Sequence, residues 1–503
     1  MSELKIGWGE VSIVPEGRVV NLAGQFYERI TREVETPITV TALAIESGDD
    51  AVIFCSCDLV STSSALLAGV RERLVGSGIP TDKIIISAIH THTAMSYGKR
   101  SDSVMAGRPD AKKIGGLDVL RAIAPELQYE KLASYEGADL LDGDEAFDFL
   151  ADRIAAAVRT AWESRSAGLY AQGFGRAAVG MCRRVCYDDG SAKMWGDTDL
   201  ASFTELEGGN DSGIELLFTY TPDKRLTGAV INVACPAQVL EHRSFISSDY
   251  FGKLKALLRR EYGEDFRVLG IVSAAGDQCP RDMIRWVEPE TPINDPNIVR
   301  NNPTLRVADP SMFDVSGCDR VARRIATEVL AAAEEVREYY GEGLLCHESM
   351  ILDIPVRRVT PAEMELAREK IEAFAKEAKD RTINYVDKAR LHIHAGVIAR
   401  YEAQQEAEVY PIEIHVVRLG NVAFATNPYE LFLDYGNQIR ARSHAQQTFL
   451  IQLACGSFGY LPTEKAEKGS HYSAYVSSGT TGHVGGDLLV RKTVSTINRL
   501  MEK

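Results

Sequence analysis

The chain has 503 residues, with 56 Lys and Arg against 71 Asp and Glu, a formal charge of −15. That balance argues against a general binder of nucleic-acid backbones and against a polybasic membrane-surface protein. Hydrophobic residues make up 45%, enough for a large core, and no apolar run approaches the length needed to span a bilayer. The length predicts about two to four domains by size alone.

The N-terminus lacks a basic stretch followed by an apolar one, so no secretion signal is expected. The nine cysteines are scattered and odd in number. They read as reduced thiols, and the expected location is cytoplasmic. Cys55-Ser-Cys57 and the Cys182/Cys186 pair lack standard metal spacing.

No sequence repeat is evident, but a strand–helix–strand pattern recurs. Ala51–Cys57 is an apolar run suited to a buried strand. A helix with Leu66, Leu67, Val70 and Leu74 on one face follows, and Lys83–Ile89 is a second buried strand. Two such strands joined by a helix predict a parallel βαβ unit. The pattern returns over 226–273, with a helix at about 249–262, and again over 421–454, with a helix from Glu430. Gly420-Asn421 reads as a hairpin turn from the strand 412–419. The expected fold class is α/β, a large mostly parallel or mixed sheet flanked by helices.

Two segments read as insertions. Residues 107–145 are Gly- and Asp-rich with weak periodicity, a loop or lid. Residues 358–406 open with Thr360-Pro361-Ala362-Glu363, a capping box with proline at the first helical position. A helical hairpin is expected there, leaving 1–357 and 407–503 as a single α/β domain. His392 and His394 stand two apart on its second helix and are poor co-ligands.

Ligands of such sheets bind beyond the carboxyl ends of parallel strands. Those ends carry His90-Thr91-His92, Cys235 followed by Glu241 and His242, Asp277 with Cys279, Glu430, and Cys455 followed by Tyr460. These are residue types for metal binding and acid–base work. On extended chain, His-x-His places both rings on one side, which suits a metal. Each motif alone also has a structural reading: Glu430 as a helix N-terminal carboxylate, Tyr460 as core, Cys279 as a small residue in a turn. His347, His415 and His444 have no partner in sequence and receive no role.

On these residues the chain resembles the neutral ceramidase family. The resemblance runs through Gly7–Pro15, Pro37–Ala44, Cys57-Asp58-Leu59, Ile89–Thr93 and Ser247–Tyr250. It continues through Gly276–Pro280, Pro428-Tyr429-Glu430, Gly459-Tyr460-Leu461 and His471-Tyr472-Ser473. It implies a zinc-dependent hydrolase that cleaves an amide. Under it His90, Glu430 and Tyr460 match zinc ligands, and His92 matches a histidine near the scissile group. Arg183 matches an arginine facing the substrate, and Tyr472 a tyrosine suited to an oxyanion. Cys279 falls where the family has a serine. The family's second zinc histidine has no counterpart in Ala234-Cys235-Pro236-Ala237-Gln238. Cys235 and His242 are the substitutes to consider. Asp277 is either a support for its turn or an orienter of a ligand.

The expected activity is therefore metal-assisted hydrolysis of a small-molecule amide or related carbonyl bond. The alternatives are a metal-dependent enzyme on a sugar or cyclic substrate, a metal-free hydrolase with Cys279 as nucleophile, and a binding protein whose metal site has decayed. A homo-oligomer fits the size class.

Overall fold

A computed structural model describes residues 2–98, 117–129, 139–287, 307–308, 312–379 and 381–503. The three predicted βαβ units are present. Asp50–Cys57 runs parallel to Ile84–Ala88, with helix Ser64–Arg73 between them. Leu226–Val233 runs parallel to Arg267–Val272 across helix Asp249–Tyr262. Val422–Thr426 runs parallel to Gln447–Ile451 across helix Leu433–Arg442. Both strands of the third pair and Ile84–Ala88 are buried along their whole length. That is why they read as unbroken apolar runs.

Each pair belongs to its own mixed sheet, so the expected single sheet is divided into three. In each, two further strands are added antiparallel. The first sheet runs Ile84–Ala88, Asp50–Cys57, Thr39–Ser47, Leu4–Ser12, with a two-residue edge at Ser166–Ala167. The second runs Arg267–Val272, Leu226–Val233, Gly213–Tyr220, Leu169–Arg176; the third runs Gln447–Ile451, Val422–Thr426, Val409–Leu419, Leu345–Pro355. A long helix closes each unit: Gly143–Glu163, Asp314–Glu335 and His483–Met501. The chain therefore repeats one plan three times: three antiparallel strands, a crossover helix, a parallel strand, a covering helix. The sequences have diverged past detection because the plan needs only buried apolar positions, not particular side chains.

Each closing helix buries a stripe at helical spacing, such as Val321, Ile325 and Val329 of Asp314–Glu335. A buried side chain of that size contributes roughly 1.5–3 kcal/mol. The fourth strands of the three units meet at the centre. Gln452 N donates to Val272 O at 3.2 Å, Ala88 N to Leu453 O at 3.3 Å, and Cys455 N to Ile86 O at 2.9 Å. Their carboxyl ends thus gather in one place.

Helices Pro361–Glu377 and Tyr385–Glu406 occupy the second insertion, and Thr360 forms the capping box with Glu363. Of the Gly-rich segment 107–145, residues 107–116 and 130–138 lie outside the described residues. Its remainder forms helix Leu117–Ile123 and a short strand, Gln128–Tyr129, parallel to Thr382–Ile383. Leu120, Ala124 and Leu127 share a small core with Ala367, Ile371, Leu391 and Ile398. The two insertions are therefore one packed unit.

Candidate metal and catalytic site

His90 lies two residues past strand Ile84–Ala88, with a positive φ of 70°. This left-handed turn, which costs a non-glycine residue about 1–2 kcal/mol, is held by His90 N and Thr91 N, both donating to Leu59 O at 3.0 and 3.1 Å. Its Nδ1 stands 2.7 Å from Val60 O. A carbonyl can only accept, so Nδ1 carries a proton and Nε2 is the ring nitrogen that faces the site. That Nε2 is 3.4 Å from Glu430 Oε2 and 3.2 Å from His92 Nε2. His92 Nδ1 is buried with no hydrogen-bond partner, 3.6 Å from Glu241 Oε2. Burial, followed by the charges of His90, Arg29 and Arg183, pushes the His92 imidazole well below its usual range, so it is neutral. Its Nε2 lies at hydrogen-bond distance from that of His90. The ring packs under Gly24, where a Cβ would lie 2.6 Å from it.

Glu430 comes from the third unit. Strands Glu430–Leu431 and Tyr460–Leu461 run parallel with Glu430 opposite Tyr460. Burial alone would raise the Glu430 carboxyl; His90, then Arg183 and the Tyr460 hydroxyl, hold it below its ordinary value. Burial and Glu430 push the Tyr460 phenol well above its usual range. Tyr472 packs edge-on against Tyr460, with ring centroids 5.6 Å apart, and its hydroxyl is pushed up to about 12, by burial first and Glu430 second.

Two neighbouring arginines of the second unit support this corner. The buried Arg184 donates to both carboxylate oxygens of Glu207 and to the carbonyls of Ser470 and Tyr472, which fixes the Tyr472 loop. Arg183 points the other way. Its Nη2 donates to Gly276 O at 3.0 Å and to the Tyr460 hydroxyl at 3.4 Å, and its guanidinium lies by the rings of Trp195 and Tyr460.

The remaining sequence candidates are placed differently. Asp277 Oδ1 accepts Leu433 N at 2.9 Å, at the start of helix Leu433–Arg442, and its carbonyl accepts Arg183 N. Asp277 therefore supports the backbone, and burial lifts its carboxyl to about 6. Cys279 Sγ is 3.2 Å from Arg281 O, and Cys279 is itself fully buried, opposite the half-buried Met181 in a short strand pair. Burial raises its thiol to about 11, the wrong direction for a nucleophile. Cys235 Sγ is turned to Val179 O at 3.3 Å, inside the apolar core of the second unit. His242 stacks on Phe313 and faces Asp314. Neither substitute for the family's second zinc histidine is brought to His90. Asp58 is spent on Thr39 and Lys255.

Glu241, beside His242 in sequence, received no separate role, yet it is the carboxylate nearest to the His92 ring nitrogen. The helical insertion also reaches the site. His392 of helix Tyr385–Glu406 lies 6.0 Å from the Phe26 ring, and Phe26 lies 6.4 Å from Tyr472.

A second cluster, Glu413, His415 and Cys455, brings three ligand-type atoms within 4.8 Å of one another. Its groups are already engaged. Arg71 donates to both oxygens of Glu413, and His415 Nε2 is 2.9 Å from Glu413 Oε1. His415 Nδ1 is 2.8 Å from His347 Nε2, and His347 Nδ1 reaches Ala51 O. Against burial, His415 and Arg71 hold the Glu413 carboxyl down at about 2. A guanidinium on the carboxylate opposes a second cation, so the His90 corner suits a metal better.

No family model matches the chain, and no curated protein matches it. Solved structures do. A neutral ceramidase from Pseudomonas aeruginosa is similar over 100% of this chain and 75% of its own, with a TM-score of 0.66 and 14% identity. A ceramidase complexed with C2 is similar over 100% and 76%, with a TM-score of 0.65 and 14% identity. The chain therefore shares the neutral ceramidase fold. Among the described residues no helix is long and apolar enough to cross a membrane.

Proposed function

We propose that this protein is a metal-dependent hydrolase of the amide bond in small N-acyl compounds. His90, His92, Glu430 and Tyr460 would hold a zinc-class divalent ion. The observation that carries this is the meeting of His90 Nε2 with His92 Nε2 at 3.2 Å and with the Glu430 carboxylate at 3.4 Å. The two spacings from His90 Nε2 are close to the ligand–ligand separation, about 3.4 Å, of a tetrahedral site with bonds of about 2.0–2.1 Å. Val60 O behind His90 is the acceptor that fixes its proton on Nδ1, and the Glu241 carboxylate stands 3.6 Å behind His92 Nδ1. His92 thereby fills the role for which Cys235 and His242 were considered.

A divalent ion held there supplies Lewis acidity toward a carbonyl and lowers the pKa of water. Tyr472, protonated because its pKa is raised, donates toward the oxygen on which charge develops. The loss of one such donor typically costs about 3–4 kcal/mol of activation free energy. Tyr460 and Gly276 set the position of Glu430. The ceramidase likeness supports an amide as the scissile bond. Metal analysis of the purified protein, with a panel of N-acyl amides, esters and lactones before and after chelation, tests the reading. Stoichiometric zinc and chelator-sensitive amide cleavage are expected; turnover of none of them in the zinc-loaded enzyme would overturn it.

A further inference from the structure

Arg29 is 2% exposed and stands five residues past Gly24, the glycine that covers the His92 ring. Its two terminal nitrogens make four hydrogen bonds, all to backbone carbonyls. Nη1 donates to Glu241 O at 2.6 Å and to Arg243 O at 2.8 Å; Nη2 donates to Ala23 O at 2.5 Å and to His92 O at 2.6 Å. Two such nitrogens carry four N–H groups, so nothing on them is left to bind a substrate.

The four carbonyls come from three stretches of chain. Ala23 belongs to the loop that leads into Arg29, His92 to the turn after strand Ile84–Ala88 of the first unit, and Glu241 and Arg243 to the segment after strand Leu226–Val233 of the second. Two of them are the main-chain oxygens of His92 and Glu241, whose side chains face each other at 3.6 Å. Gln25 Nε2 adds a further bond to Glu241 O at 2.9 Å. A lysine ammonium offers three donors from one point and cannot span these partners as the planar fork does.

Resting on the hydrolase reading above, we propose that Arg29 is the positioning residue of the site, the clamp that sets His92 against Glu241 across the boundary between the first and second units. It acts only through the residues it holds.

The test uses the full-length protein with Arg29→Met and Arg29→Lys. Each is loaded with zinc for turnover of N-octanoyl-4-nitroaniline, and with cobalt(II) for its visible spectrum. In both variants kcat per metal-loaded molecule should fall about 100-fold, the effect of displacing a reacting group by about 1 Å. KM should change by less than about threefold, because Arg29 does not touch the substrate. The cobalt(II) bands should shift as His92 moves. A residue that serves stability alone would lower the unfolding free energy and leave kcat and the cobalt(II) spectrum of the folded, loaded protein as in the wild type; that result overturns the proposal. A raised KM at unchanged kcat overturns it too. If one variant does not fold, the other decides, and failure of both to fold makes Arg29 a stability residue, which is equally fatal. If the wild type binds cobalt(II) but cleaves nothing, the hydrolase reading fails alone, and the spectra of the variants still decide the clamp. If it binds no metal either, a crystal structure of Arg29→Lys decides: a His92–Glu241 separation kept at 3.6 Å overturns the proposal, and a widened one supports it.

Discussion

The backbone of Gly276 lies directly against that of Glu430: a Cβ at Gly276 would sit 2.3 Å from the Glu430 carbonyl oxygen and 2.7 Å from its carbon. The second unit thus presses on the residue that the third contributes to the proposed metal site. Gly276 N also donates to Leu431 O at 2.8 Å. The obstacle is backbone, which cannot rotate away as a side chain can. Gly276→Ala should destabilise the fold by about 1–3 kcal/mol and lower zinc affinity as well. Denaturant unfolding and zinc titration of the same preparation read the two effects. Unchanged values in both would show that the contact is slack.

His90→Ala and Glu430→Gln should each lose bound zinc and amide cleavage while remaining folded, because both side chains act at a site edge rather than in an apolar core. Elemental analysis against circular dichroism checks this. Cys235→Ala should retain zinc, since its sulfur faces Val179; zinc loss in Cys235→Ala alone would reinstate the thiolate.

Arg184→Met leaves Glu207 buried without its partner. Breaking a buried pair typically costs about 3–5 kcal/mol. The same change frees the carbonyls of Ser470 and Tyr472. Faster hydrogen exchange at 470–474 in Arg184→Met, beyond the global loss of stability, would report the released loop.

Asp249 is fully buried, and desolvation raises its carboxyl to about 7 even though Leu240 N and Tyr250 N donate to it. The folded state then holds a proton that the unfolded state releases near the usual value of about 3.9. Its contribution favours folding fully below that pH, weakens as pH rises toward 7, and is lost above it. Unfolding free energy measured from pH 4 to 8 should show this decline, and Asp249→Asn should lack it. The same slope in both proteins would assign the proton elsewhere.

The three crossover units were legible because strands buried on both faces leave long apolar runs. Of their antiparallel partners only 412–419 was read, through the Gly420-Asn421 turn; outer strands such as Leu345–Pro355 alternate buried and exposed positions and vary freely on one face, which hid the threefold plan. Within the site, His90-x-His92 announced itself by spacing, and Glu430 and Tyr460 by standing just past strand ends. Glu241 was obscured by its neighbour: the reading fixed on the imidazole of His242, which the fold turns onto Phe313. The His347–His415 contact spans 68 positions and exists only through the antiparallel register of Leu345–Pro355 with Val409–Leu419. The alternation Glu413-x-His415 was the one local sign of it.

Because each of the three units contributes to a single reactive corner, that corner has no partial form during synthesis. His90 and His92 leave the ribosome more than 330 residues before Glu430 and about 370 before Tyr460. Domains generally fold as they emerge, beginning from the N-terminus, so the nascent first unit carries an imidazole pair that must wait for most of the chain. A chain cut ahead of Glu430 keeps the His90–His92 pair but lacks the carboxylate and the phenol that the proposed site draws from the third unit.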